Sequence, residues 1–293
     1  MEFKIGLAGR IVGISSIYDE VYELCRDYLV GEGSLKSCDD VIAVGEDFHV
    51  TTSQADIEFE REKSIKEAIF EGIVPFDYEE SYYETLAVYR KIAVEMLKYD
   101  TWLMHGAVVG VRADGDDGVV GTAGGDVTDG AVNGGQAVLF TAQSGVGKTT
   151  HMNLWLKYIP GAFVVNGDKP LLKFVKNDSC DNRDNGCDSE HIGVRCEVCG
   201  TPWAGKEALQ TNVISPLKAI CFLERGDTNE IERVAFEDVY PMLLQQVYRP
   251  SDPQAMMKTM ELVKKLGTTI PLYRMKCTME PEAAKVAYEE MMR

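Results

Sequence analysis

One segment restricts this chain more than any other. An apolar run, AVLFT at 137–141, enters AQSGVGK and then THMNLWL, whose apolar spacing is helical. Residues 142–149 fit G-x-x-x-x-G-K-[ST] at every fixed position but the first, where Ala142 replaces glycine. Strand, glycine turn and helix in that order make a phosphate cradle. Gly145 and Gly147 allow the backbone to curl until successive amides face one centre. The helix N-terminus adds about half a positive charge at the same place. Lys148 supplies a mobile cation, and the Thr149 hydroxyl suits Mg²⁺. Ser144, Gly145, Val146, Gly147, Lys148, Thr149 and Thr150 are thus the expected phosphate-binding residues, for a nucleoside triphosphate or another polyphosphate. A carboxylate at the end of a neighbouring strand would complete the metal site. Asp168, which ends AFVVNGD, meets that need.

The remaining composition bounds the partners. The chain has 293 residues, with 30 Lys and Arg against 47 Asp and Glu, a formal charge of −17. That balance repels nucleic-acid phosphates and anionic lipid, so no nucleic-acid and no membrane partner is expected. No apolar run reaches the length of a membrane span. The first residues lack the basic and apolar pattern of a secretory signal, so the expectation is a cytoplasmic protein with reduced thiols.

Two parts are expected. Residues 1–100 read as a small α/β module, with strands at 3–12 and 41–44 and helices at 19–30, 55–70 and 80–97. Residues 101–293 carry the glycine turn. Strands are expected at 102–111, 137–141, 163–165, 194–198, 217–223 and 270–275. Helices are expected at 149–158, 237–247, 254–266 and 282–292. Two acidic, Gly- and Asp-rich insertions, about 112–136 and 176–192, are too polar to form a core.

Other candidates are weaker. Gly200-Thr201-Pro202-Trp203-Ala204-Gly205-Lys206 suits a tight loop. Trp203 could stack an adenine or wall a substrate pocket, and Lys206 could face phosphate or an anionic substrate. Either could equally belong to a structural turn. Arg225 is a candidate for neutralising transition-state charge, or an ordinary surface cation. Cys180, Cys187, Cys196 and Cys199, with His191, could ligate zinc, but a single C-x-x-C and irregular spacing favour free thiols. Cys25, Cys221 and Cys277 read as small core residues. The C-terminal methionines suit core packing or the face of a homo-oligomer.

These residues together carry a resemblance. Met104-His105-Gly106-Ala107-Val108-Val109, then SGVGKTT, then VVNGD on the next strand, resemble the catalytic domain of HPr kinase/phosphorylase, which is related in structure to phosphoenolpyruvate carboxykinase. FTAQSGVGKTTHMNLW, NGDKPLL, GTPWAGKE and PLKAICFLERG resemble a little-described bacterial group of such proteins. The resemblance covers about 101–293. It implies a P-loop kinase domain with a mainly β core, so the expected fold is α/β, with that domain preceded by a small α/β N-terminal domain. It also implies Lys148 and Thr149 as phosphate and Mg²⁺ contacts, and His105 on the strand beside the P-loop. His105 would then bond a γ-phosphate or Asp168; its ordinary reading is a satisfied histidine at a strand end. HPr kinases carry an Asp-Asp pair where this chain has Gly167-Asp168-Lys169. Asp168 then either binds Mg²⁺ alone or also serves as base, or activity is lost.

The expected function is ATP·Mg²⁺-dependent phosphoryl transfer to a hydroxyl of an unidentified protein, peptide or small molecule, with Lys148, Asp168 and His105 as catalytic residues. Two alternatives stand beside it. One is a non-catalytic nucleotide-binding regulator. The other is carboxykinase chemistry, for which an Arg-rich dicarboxylate pocket is missing from the sequence.

Overall fold

The computed structural model describes residues 1–30, 45–112, 135–143, 145–176 and 193–293. The chain begins with a hairpin: β1 (Glu2–Leu7) pairs antiparallel with β2 (Arg10–Ser15). A single strand over 3–12 was expected. Instead Ala8 and Gly9 take positive φ, 53° and 79°, as a two-residue type I′ turn requires. Helix α1 (Asp19–Leu24) follows, and β3 (Phe48–Thr51) then joins β2 in parallel. The strand expected at 41–44 lies outside the described residues.

Helix α2 (Gln54–Phe70) starts at a capping box: Ser53 accepts from the Asp56 amide, and Asp56 accepts in return from the Ser53 amide. Helix α3 (Glu80–Met96) buries Tyr83, Leu86, Ile92 and Met96 against Ile5, Val12 and Ile14 of the hairpin. Glu60 of α2 is only 4% exposed and is paired with Arg90 of α3. At the α2–α3 connection Phe70, Val74 and Phe76 stand exposed.

The remaining strands form one large sheet. They are β4 (Thr101–Leu103), β5 (Ala107–Val111), β6 (Gln136–Thr141), β7 (Ala162–Asn166), β8 (Leu171–Lys176), β9 (Val194–Cys199), β10 (Ile214–Arg225), β11 (Glu230–Val234) and β12 (Leu272–Cys277). The order is β4-β8-β9-β10-β6-β5-β7, with β12 also on β10 and β11 beyond it. Four helices accompany them: α4 (Lys148–Tyr158), α5 (Phe236–Gln245), α6 (Pro253–Thr269) and α7 (Pro281–Met291).

Strand β10 gives the sheet its bend. Residues 214–216 pair antiparallel with β9, while 217–222 run parallel to β6 and 220–225 parallel to β12. The register to β6 shifts between Leu217 and Ala219, just after Pro216, which has no amide to donate.

Alternation along the central strands divides the core. Val108, Leu139 and Phe222 face Leu243, Leu262 and Leu266 of α5 and α6. Val109, Val138 and Phe140 face Met152 and Trp155 of α4 and Ala284 of α7. Helices thus cover both faces, and the architecture is mixed α/β.

Several strands depart from expectation. The run 102–111 is two strands, broken at 104–106, where the chain leaves β4 of one sheet limb for β5 of the other. β11 has an exposed, charged pattern (EIERV) and reads as loop, since an edge strand need not alternate cleanly. β8 was likewise not foreseen. Leu103, Leu171, Cys199 and Trp203 pack in the same core as the first hundred residues, so that module shares its core with β4, β8 and the loop after β9. Among the described residues no helix is long and apolar enough to cross a membrane.

Candidate active site

The glycine turn lies between β6 and α4. Gly145 and Gly147 have φ of 78° and 126°. A Cβ at either would meet nothing within 4 Å, so conformation, not space, demands glycine here. Lys148 opens α4 and bends back, donating from Nζ to the Ala142 carbonyl at 3.2 Å. Burial pushes its ammonium pKa down, with Asp168 acting in the opposite sense. Thr149 is half-buried and Thr150 exposed on the first turn, and Val146 is half-buried in the loop. Ser144 lies outside the described residues.

Arg225, at the end of β10, donates from Nη2 to the Gly145 carbonyl at 2.5 Å and from Nε to the Val146 carbonyl at 3.4 Å. The side chain suggested for charge neutralisation thus engages the backbone of the glycine turn. A cavity of about 590 Å³ lies on this side, lined among others by Val146, Thr150, Arg225, Asp227 and Thr278.

Asp168 stands in the turn after β7. Asn166 is fully buried, and its Oδ1 accepts from the amides of Asp168 (2.9 Å) and Lys169 (2.7 Å). This is the local side-chain turn that asparagine favours. Asn166 Nδ2 donates to Thr201, whose hydroxyl donates to the Lys169 carbonyl at 2.7 Å. The loop after β9 is thereby fastened to the turn.

The Asp168 carboxylate is engaged at both oxygens. His105 Nε2 lies 3.2 Å from Oδ1, and the Lys169 ammonium pairs with Oδ2. Burial alone would raise the carboxyl pKa. The His105 hydrogen bond and the Lys169 charge outweigh it and hold the pKa down to about 2. His105 itself is fixed between elements: its amide donates to the Gln246 carbonyl at 2.6 Å, and its Nδ1 lies 3.0 Å from Gln246 Oε1. Gly106 is required beside it, because a Cβ there would sit 2.8 Å from Leu139 Cδ2 and 2.9 Å from the Phe140 carbonyl.

Gly167 has a similar explanation. A Cβ there would meet the carbonyl oxygens of Ala204 at 3.0 Å and Leu209 at 3.3 Å. The loop over this turn leaves little room for the second aspartate of the resemblance.

Arg225 and Lys148 thus engage the glycine turn, and His105 and Asp168 meet at the turn after β7, whose charge acts on Lys148; Trp203 is at neither. That indole is 5% exposed and packs against Tyr89 at 5.7 Å in the core of the N-terminal module, with its Nε1 unpartnered. It has no free face for an adenine, which corrects the stacking role. Lys206 is exposed on the loop whose Gly205 approaches Asp168.

Cys196 and Cys199 lie three apart on β9 and enter different cores, so they do not converge on a metal. Burial pushes both thiols up, Cys199 to about 12. Cys180, Cys187 and His191 lie outside the described residues. Among the described residues no group of three or more His, Cys, Asp or Glu side chains converges as a metal site.

Asn166, Thr201 and Gln246 were missed at the level of sequence. Asn166-Gly167-Asp168 carries a visible turn signal, but Gln246 reaches His105 across the whole domain and leaves no local trace. No protein-family profile and no curated protein matches the chain.

Proposed function

We propose that this protein is a Mg²⁺-dependent phosphotransferase that moves the γ-phosphoryl of ATP to a hydroxyl, on a domain of the HPr-kinase and carboxykinase type. The observation that carries the reading is the joint placement of two things. One is a left-handed glycine turn with Lys148 at the mouth of α4; the other is a fixed, ionised carboxylate close enough to perturb that lysine.

The residues fit the ligands. The space around Gly145 and Gly147 is open, the amide donors and Lys148 suit phosphate, and Thr149 with Asp168 offers the oxygen donors Mg²⁺ prefers. Few protein ligands are needed, because Mg²⁺ keeps waters and phosphate oxygens in its shell. When bound, ATP supplies the phosphoryl group and Mg²⁺ spreads its charge.

The chain's own contribution is position and field. Lys148 and the amides of the turn stabilise charge on the phosphoryl oxygens. Arg225 holds the turn in shape through its carbonyls. Asp168, ionised throughout the neutral range, is a metal ligand and a hydroxyl-orienting acceptor rather than a strong base. A loose phosphoryl-transfer transition state asks little more of it.

The test is transfer of labelled γ-phosphate to fractionated metabolites and protein extract, alongside calorimetry of Mg·ATP. Lys148→Ala is expected to lower turnover by about 10²-fold or more. Full turnover in that variant would refute the assignment.

A second reading, a nucleotide-binding regulator without transfer, is favoured by one observation: Lys169 and His105 already occupy both oxygens of Asp168. Mg·ATP binding with no transfer to any acceptor would select it.

A further inference from the structure

A second cavity, of about 210 Å³, is lined by His105 and Lys169, the two side chains that hold Asp168. Its walls come from both parts of the chain. α2 contributes Lys63 and α3 contributes Tyr89 and Arg90, while His105, Lys169 and the segment 245–249, from the last residue of α5 onward, close it. In a chain of formal charge −17, four permanent cations line it: Lys63, Arg90, Lys169 and Arg249. Glu67 is the one carboxylate in the lining.

Three of these cations have partners. Arg90 is paired with Glu60, Lys169 with Asp168, and Lys63 lies 4.0 Å from Glu67. Arg249 has no hydrogen bond or ion pair among the described residues and is exposed at the rim. Tyr89, Tyr248, Leu103 and Met104 are among the remaining lining residues.

From this geometry we infer that the cavity is the acceptor site, and that the acceptor is a small hydroxyl compound bearing a carboxylate or phosphate group, with its anion at Arg249 and its hydroxyl at the His105–Lys169 end. The inference rests on the phosphotransferase reading. Its volume falls below the roughly 300–1,000 Å³ of sites for drug-sized ligands, which favours a small metabolite over a protein segment. A free guanidinium at the rim offers the bidentate fork that carboxylates and phosphates fit.

The transfer balances simply. The acceptor oxygen bonds the γ-phosphorus while the bond from that phosphorus to the β–γ bridging oxygen breaks. ADP keeps the electron pair, and the hydroxyl proton is released to water. The first hundred residues gain a role in this arrangement, since α2 and α3 supply Lys63, Glu67, Tyr89 and Arg90 to the pocket.

The experiment uses the full chain in two arms. In the first, glycerate, glycerol phosphate and uncharged glycerol are titrated against protein saturated with Mg·ADP, reading the Arg249 Nε–H resonance. Saturable shifts with either anion and none with glycerol are expected. The carboxylate and phosphate probes separate the two kinds of anion.

In the second arm, labelled ATP is offered with the same compounds and with fractionated acidic metabolites. The acceptor that is labelled is expected to be anionic. Arg249→Ala should raise its KM about tenfold or more with the Mg·ATP affinity unchanged, and Arg249→Lys should recover part of the loss. Arg249 is exposed and makes no hydrogen bond or ion pair among the described residues, so its replacement leaves the fold in place.

An Arg249 signal untouched by both anions, while Mg·ATP still binds, overturns the acceptor site and leaves the nucleotide assignment standing. Label appearing only on protein overturns the small-molecule class. Failure of Mg·ATP to bind at all overturns the parent reading instead.

Discussion

Asp168 shows how much the immediate surroundings decide. A half-buried carboxylate would by itself be harder to ionise, yet one histidine and one lysine reverse the sign and bring it to about 2. The native pKa therefore lies below the unfolded value of about 3.9. The stabilisation from these contacts is complete above that unfolded value and disappears as pH falls toward 2. Carbon-detected titration of the side-chain carboxyl is expected to give a midpoint near 2. In Lys169→Met the midpoint should rise, because burial persists while one of its two partners is gone. An unchanged midpoint in that variant would show that Lys169 does not hold the carboxylate in solution.

The helix that opens on Lys148 carries a second titration. His151 is buried, receives a hydrogen bond at Nε2 from Trp155 Nε1 at 3.2 Å, and has no partner at Nδ1 among the described residues. Burial pushes its pKa down to about 4. An unfolded histidine binds its proton near 6.5, so acid favours the unfolded chain. Stability should be full above about 6.5 and fall by about 3 kcal/mol on the way to pH 4. Urea unfolding of the wild type and of His151→Phe checks this: the variant should lose most of the difference between pH 7 and pH 4.5. At this scale the sequence was a fair guide where a period was strong. α3, α4 and α6 follow from apolar spacing, and the cradle follows from glycine spacing, because each is a local constraint. The break at 104–106, the bend in β10 and the burial of Trp203 were not legible. Each depends on a distant strand or helix that local spacing cannot identify.

For the molecule as a whole, the joint between the two parts is the shared core in which Leu103, Leu171, Cys199 and Trp203 pack with the first module, and that module is itself braced by one buried charge pair. Glu60 and Arg90 tie α2 to α3, and the same helices wall the proposed acceptor cavity. Arg90→Ala is expected to cost about 3–5 kcal/mol in urea unfolding, because it strands a buried carboxylate. Glu60→Gln with Arg90→Met should recover most of that loss. Equal losses in the single and double variants would show that the pair does not brace the two helices. The long bent strand has a further effect on how the protein must be made. β6 bonds β5 on one side and β10 on the other. A ribosome releases the glycine turn well before residues 217–222 exist, so the growing polypeptide carries an unpaired apolar edge beside it. Co-translational protection of that edge, and slow spontaneous renaturation from denaturant, follow from where β10 falls along the chain.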